Sequence, residues 1–466
     1  MLSLATRPSS GTDLYQFSVR RKGRAGNYKM LCGGNRSNES RLVIIPTQKS
    51  LESFKRRLEM LTLTLERLIR ALTVTCQLFC MAPIPKTRKR KLNRLRHLHY
   101  VHASVILINI YVFSWNFIAN IDPSHITLNT IFSSSEIVVD NLICTFCVFN
   151  TFYSASSYRE ISQKFLQIFK ELKALELPQQ PPEYNILSVL YKELCLYTAV
   201  ISVLIIIPLG YIFVKVDYKL NIFLRFFGSY HLSHILVLFK LGQYWLALRF
   251  TYLLYKRINE TLRQRINHLD LHSSPVRHEV IMNAGSYSWY KREFSRTHWD
   301  NCEILERLRR LYSDLDKLLV QVVNFFDAIL LLNFLGSVFG FTINLFELYK
   351  SLEAPQWNRL LWHFLYVVRV IIILLVNKAV TNEKSRTAFV LNALYITSKE
   401  MEHAVKRFLL HLMIRKPVEK VCGIVELNLM LFTGILNIAI QYITFLIQID
   451  LSKDPSNIHK KIDNKN

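Results

Sequence analysis

Seven stretches of this chain are longer and more apolar than the core of a water-soluble domain requires. They run from Val101 to Ile121, Ile137 to Ser157, Leu196 to Phe213, Phe223 to Tyr255, Val322 to Leu348, Leu361 to Val376 and Gly423 to Ile449. About 20 residues of helix cross the hydrocarbon of a bilayer. Lipid offers no partner to a bare N–H or C=O, so such runs must satisfy their backbone internally. Most of the seven meet the length; the sixth is short. The expectation is an all-α membrane protein with seven transmembrane helices, residing in the lipid bilayer.

Charge sets the orientation. The 466 residues are 51% hydrophobic and 20% charged, with a formal net charge of +25. Of the positive groups in the connections that flank the spans, nearly all sit in alternate ones. Seven Lys or Arg lie between Lys86 and Arg96, four between Arg159 and Lys173, twelve between Lys256 and Lys317, and nine between Lys378 and Lys420. The opposite connections hold Lys215, Lys219, Lys350 and Arg359. The positive-inside bias puts the N-terminus in the cytoplasm, and seven spans leave the C-terminus outside. The basic tail "HKKIDNK" is the exception. Basic loops without a compact reader also argue against a nucleic-acid partner.

The expected organisation follows. Residues 1–50, rich in Gly, Ser and basic groups, read as a disordered cytoplasmic tail. The opening "MLSLATRPSS" is too short and polar for a signal peptide. Residues 51–99 form a cytoplasmic or interfacial helical region, with membrane insertion of Ala71–Ile84 as an alternative. Residues 100–449 hold the seven helices, with long cytoplasmic helical extensions at 256–320 and 378–422, and 450–466 make a short extracellular tail.

Helical spacing carries the extensions. Leu248, Tyr252, Tyr255, Ile258 and Leu262 make one stripe; Leu305, Leu308, Tyr312, Leu315 and Leu319 make a second; Met401, Val405, Phe408 and Leu412 make a third. They read either as a helical bundle under the membrane or as solvated faces. Between the first two, "HSSPVRHEVIMNAGSYSWYKREFSRTHW" reads as a loop. Pro208 is placed to kink the third span.

Catalytic signatures are missing: there is no HExxH, GxGxxG, P-loop or GxSxG. No enzyme and no cofactor is expected. Cys144 and Cys147 form a CxxC inside a span without a second pair. His231 and His234 share a helical side, but no third ligand is evident from spacing.

The final run is the polar one. It and its approach hold Glu426, Asn428, Asn437, Gln441, Tyr442, Thr444 and Gln448. Gln441, Thr444 and Gln448 follow 3–4 spacing, and Asn437 extends the line by a turn. In hydrocarbon these groups must line water or pair with other helices; spacing leaves both open. In several copies around an axis, equivalent amides would form a ring. Phe445 and Ile449 beside them would close the path by dewetting.

The same run carries a resemblance. "QYITFLIQI", from Gln441 to Ile449, resembles the Thr-Tyr, five mostly hydrophobic residues, Gln-Phe ending of insect gustatory receptors, in the superfamily that includes the insect odorant receptors. Tyr442 and Gln448 match, while Gln441 and Ile449 replace the usual Thr and Phe. "LVLFKLGQYWLALRFTYLLYKRINETL", "LRRLYSDLDKLLVQVVNFF" and "GIVELNLMLFTGILNIAI" resemble family patterns in the same order, and the likeness covers roughly Leu78 to Ile449.

The resemblance implies a ligand-gated, non-selective cation channel of four subunits, identical or mixed. Its fold is the insect chemoreceptor-channel fold, its ligand a small-molecule tastant, and its place the plasma membrane of a chemosensory neuron, in the dendrite. It makes Gln448 the glutamine near the gate and Tyr442 a helix-positioning residue. It puts a ligand pocket between the earlier spans; aromatic chemistry and topology nominate Tyr111, Trp115, Phe341, Tyr349 and Trp362. The alternatives are a G-protein-coupled receptor, which lacks here its DRY and NPxxY motifs and calls for an outside N-terminus, a transporter, and an accessory chemoreceptor subunit.

Overall fold

The computed structural model describes residues 29–31, 43–45, 48–84, 90–121, 128–175, 186–215, 219–272, 287–350, 357–394, 399–414 and 420–453. Helices dominate. Helix α1 (Gln48–Leu78) is followed by α2 (Arg90–Ala119), α3 (Leu128–Tyr153), α4 (Ala155–Ala174) and α5 (Ile186–Lys215). Then come α6 (Leu220–Phe226), a π-helical turn (Phe227–His231) and α7 (Leu232–His272). Helices α8 (Tyr287–Lys350), α9 (Trp357–Asn392), α10 (Lys399–Ile414) and α11 (Leu429–Lys453) complete the series.

Two small antiparallel hairpins interrupt it. Strands β1 (Lys29–Leu31) and β2 (Val43–Ile45) pair within the region expected to be disordered, where Val43-Ile44-Ile45 is a β-branched run. The rest of residues 1–47 lies outside the described residues. Strands β3 (Lys420–Val421) and β4 (Val425–Glu426) pair just before α11.

Among the described residues, six helices are long and apolar enough to cross a membrane: the segments Arg94–Ala119, Ser134–Tyr153, Ile186–Val214, Cys302–Phe346, Phe364–Asn392 and Leu429–Ile449. Seven were expected. The run Phe223–Tyr255 differs because it is divided between α6, the π turn and α7. Its α7 part buries Ser233, His234, Lys240 and Thr251 among its neighbours. Polar groups that find partners inside the bundle lower the helix's apolarity without exposing charge to lipid. Helix α5 is the opposite case. It stays helical through Pro208 and leaves Leu196, Val203, Ile206, Ile207 and Tyr211 exposed, an outer surface suited to lipid.

Helix α8 is the hub, packing against α3, α4, α7, α9, α10 and α11. It begins at Tyr287, inside the segment read as a loop. The breakers of that segment, Pro275 and Gly285, both precede Tyr287, and nothing after them halts propagation. Residues 273–286 lie outside the described set. The three expected stripes do pack together. Leu248, Tyr255, Ile258 and Leu262 of α7, Leu305, Leu308, Tyr312, Leu315 and Leu319 of α8, and Met401, Val405 and Phe408 of α10 are all buried in one core. Tyr252 and Leu412 are half-buried at its edge.

Helix α1 packs its Leu65 side on α4 and ends in a Schellman turn, with Cys80 at the left-handed position (φ 57°). There the amide of Met81 donates to Cys76 O at 2.8 Å and that of Cys80 to Gln77 O at 3.0 Å. Cys80, Met81 and Ala82 then enter the core completely. The Met81 carbonyl accepts from Gln243 Nε2 at 2.9 Å, and Lys240 Nζ donates to Thr151 Oγ1 at 2.8 Å. The stretch Ala71–Ile84 therefore joins the bundle along α1, through Cys76 and Phe79, and enters it fully at Cys80–Ala82.

Close approach of helices depends on small residues. A Cβ on Gly336 would meet Ile143 Cδ1 of α3 at 2.5 Å, and one on Gly340 would meet the Tyr366 ring of α9 at 2.6 Å. These two glycines form a GxxxG on α8, the spacing that lets membrane helices come together. Gly340→Ala should lower stability by about 1–3 kcal/mol through overpacking against a buried ring. Thermal denaturation of the detergent-solubilised protein measures it; an unchanged melting temperature would mean that Tyr366 can move aside.

Candidate functional site

Two polar arrangements stand out against the apolar bundle. The first lies on α11. Asn428 caps the helix, its Oδ1 accepting the Leu431 amide at 3.2 Å. Among its described side chains, Ile435 and Ala439 are the buried ones of the helix proper, and the others rest shallowly on α8 and α9. At 3.6 residues per turn, Asn437, Gln441, Thr444 and Gln448 fall within an arc of about 60° on the side opposite Ile435 and Ala439. All four are exposed. Thr444 satisfies its own hydroxyl by donating to Ile440 O at 2.9 Å. Phe445 and Tyr442 are also mostly uncovered, at 57% and 59%, and Ile449 is half-buried. The polar stripe thus faces away from its own chain.

The second arrangement is fully buried between α3, α7, α8 and α9. Glu136 and Asp140 sit one turn apart on α3, each under 5% exposed. Tyr366 of α9 reaches both: its hydroxyl lies 2.8 Å from Glu136 Oε1 and 2.8 Å from Asp140 Oδ2. Asn344 of α8 donates to Glu136 Oε1 at 2.9 Å. Arg369, one turn after Tyr366, donates through Nη2 to His234 Nδ1 at 2.7 Å and sits 3.9 Å from Asp140 Oδ1. With Nδ1 accepting, Nε2 is the protonated nitrogen, and it lies 3.2 Å from Asp140 Oδ2.

Ligand-type atoms of Glu136, Asp140 and His234 lie within 4.8 Å of one another. The carboxylate partners of His234 therefore come from α3, which sequence spacing around the histidine pair did not reveal. The Arg369 guanidinium already supplies a compensating positive charge there. Neighbouring layers are polar too: Asn141 donates to Ser114 Oγ at 2.7 Å, and Tyr244 to Asn377 Oδ1 at 3.1 Å.

Of the aromatic pocket candidates, Tyr111 and Trp115 lie on the surface of α2. Tyr111 is exposed, with its hydroxyl 2.9 Å from Thr145 Oγ1. Trp115 is 72% exposed. Phe341 and Tyr349 are half-buried on α8, the latter stacked on Phe346 at 6.3 Å. Trp362 belongs to α9, and its side chain lies outside the described residues. The sequence reading missed Glu136, Asp140, Tyr366 and Arg369. The available signal was ionisable residues within apolar helices, which by default mark a functional or structural interior.

The family profile described as "7tm Chemosensory receptor" matches residues 69–453. The chain belongs to this family. Chemosensory receptors of this kind are non-catalytic, as the missing catalytic signatures led one to expect. Two curated Drosophila melanogaster proteins are similar to stretches of the chain. "Putative gustatory receptor 59e" is 30% identical over 157 residues, 32% of this chain and 39% of that protein. "Putative gustatory receptor 59f" is 25% identical over 169 residues, 35% of this chain and 42% of that protein. The matches thus span about two fifths of these relatives' length.

Solved structures of the insect olfactory receptor OR5 from Machilis hrabei share the fold. One superposes with a TM-score of 0.55 at 10% identity. That in complex with eugenol gives 0.58 at 9%. Both comparisons cover 83% of this chain and 99% of the receptor chain. This 7tm chemosensory receptor is therefore an all-α, multi-pass membrane protein with the architecture of the insect chemoreceptors.

Proposed function

We propose that the chain is a gustatory receptor subunit acting as a ligand-gated, non-selective cation channel, with four copies, identical or mixed, placing their α11 helices around a central conduit. One observation carries the reading: the stripe Asn437, Gln441, Thr444, Gln448 is exposed and opposite the packed side of α11. Three amides facing hydrocarbon would each cost several kcal/mol in lost hydrogen bonds. Water in a symmetric conduit satisfies all of them at once, and closed rings are how identical chains usually assemble. Amides offer donors and acceptors without a fixed charge, which suits cations of several kinds. Phe445 and Ile449 then form the apolar constriction. Tyr442, uncovered in one chain, becomes the contact by which neighbouring copies position α11.

In this reading the α6–α7 unit is a further crossing, so the chain spans seven times with its N-terminus in the cytoplasm and its C-terminus outside. The cluster around Arg369 then lies in the outer half of the bundle. Small-molecule tastants bind between α3, α7, α8 and α9 near it, and Tyr111, Trp115, Phe341, Tyr349 and Trp362 form the outer aromatic approach. Cations entering the cell depolarise a chemosensory neuron.

The test is a recording. Cells expressing the chain, alone and with a second family member, are challenged with a chemically diverse panel, wild type beside Gln448→Ala at matched surface expression. The expected result is a ligand-evoked cation current whose permeability ratios or gating change in the variant. Ligand-evoked G-protein signalling without an intrinsic current would overturn the proposal.

A further inference from the structure

The base of α11 is held by a strained turn. Between β3 and β4 the chain reverses through Cys422 (φ 51°) and Gly423 (φ 68°), and the Ile424 amide closes on Val421 O at 3.0 Å. Positive φ at both central residues is the demand of a type I′ turn, normally met by Asn, Asp or Gly at the first position. Cysteine there is disfavoured, and such a conformation persists only where its surroundings hold it. A hairpin with two residues per strand has little stability of its own.

The holding group is on another helix. Asp327 of α8 accepts the Cys422 backbone amide through its Oδ1. Val421, next in line, is fully buried, and β3 packs on α8. From Cys422 the chain reaches the Asn428 cap of α11 in six residues, with Leu427 buried on the way. Lys420 and Glu426 close the open end of the hairpin at 3.6 Å. Above this base, α11 buries only Ile435 and Ala439 among its described side chains. Its tilt is therefore set by a firm foot and a shallow flank.

We propose that Asp327 is a positioning residue for the terminal helix: its hydrogen bond to the Cys422 amide fastens the foot of α11 to α8, so that movement of α8 is passed to α11 at this joint. The link from position to gating rests on the reading of α11 as the conduit lining; the fastening itself does not. Asp327 touches neither ligand nor permeant ion in this scheme and acts only through the backbone of the turn.

Two measurements on the full-length protein separate those layers. The first is hydrogen–deuterium exchange of the 420–428 segment in the purified, detergent-solubilised chain. A hydrogen bond to a charged acceptor sustains about tenfold or greater protection. Asp327→Ala should raise exchange of the hairpin by about that factor and leave the α7–α8–α10 core unchanged. Asp327→Asn keeps an Oδ1 acceptor and should fall between the two. Exchange of the hairpin that is the same in wild type and Asp327→Ala overturns the fastening. The second is the ligand-free and ligand-evoked current. Loosening should shift both in Asp327→Ala, with Asp327→Asn returning toward wild type. A loosened hairpin with wild-type currents overturns the link to gating. If wild type itself carries no current, alone or co-expressed, the conduit reading fails, and the exchange data still decide the fastening.

Discussion

Arg369→Met is expected to destabilise the folded receptor by about 3–5 kcal/mol, the usual result of removing one partner from a buried charge pair. The guanidinium is 3% exposed, lies against the Tyr366 ring at 5.2 Å, and is the donor that fixes the tautomer of His234. Its distance to Asp140, 3.9 Å, is long for a direct bond, so its main task is to orient His234 and supply positive charge beside the two carboxyls of α3. Methionine fills similar volume and restores none of this. For a chain of this length the loss corresponds to a fall in melting temperature of about 3–5 °C. Arg369→Lys keeps the charge without the planar fork and should lose less, though not nothing. Intrinsic fluorescence melting of the solubilised protein makes the comparison. A methionine variant that melts with wild type would mean the cluster contributes no net stability.

Phe408→Ala should have a comparable local effect, about 3–5 kcal/mol, in the bundle built from the tails of α7, α8 and α10. Phe408 is fully buried and meets Tyr312 edge-on at 5.6 Å; Tyr312 in turn meets Tyr255 at 5.1 Å. Three rings from three helices thus make one stack, and truncating the outermost leaves a cavity that a rigid helix cannot close. The expected sign is faster proteolysis within α10, while the spans around Arg369 stay protected. Equal cleavage of wild type and variant would show that α10 is held by something other than this stack.

Much of this was legible in the chain. Hydropathy is a local property, so α2, α3, α5, α8, α9 and α11 announce themselves. The spacing of Leu305, Leu308, Tyr312, Leu315 and Leu319 likewise foretold which side of α8 is buried. The stripe from Asn437 to Gln448 was legible as a stripe, though only packing reveals that it points away from its own chain. What failed was non-local. Glu136 and Tyr366 are 230 residues apart, and no spacing joins them. His231 and His234 were legible only as a histidine pair without a third ligand, whereas in the fold His234 is buried beside the carboxyls of α3. Trp115 shows the limit of local reading: an aromatic at the right depth invites a pocket, and spacing alone does not say that on α2 it stands outside the core. The GxxxG of Gly336 and Gly340 was in plain view, and its meaning depends on which helices come to meet it.

Helix α8 is one uninterrupted element of 64 residues. At 1.5 Å per residue that is a rod about 96 Å long. Such a rod works as a lever. A rotation of about 3° about one end displaces the other by about 5 Å, close to one helical turn. Asp327 lies roughly a third of the rod's length from its Lys350 end, so the same rotation shifts the foot of α11 by about 2–3 Å, whichever end is the pivot. Side chains in packed cores settle into discrete arrangements rather than sliding continuously. In the proposed coupling, a displacement of that size would carry α11 from one arrangement to the next while α8 stays a single helix.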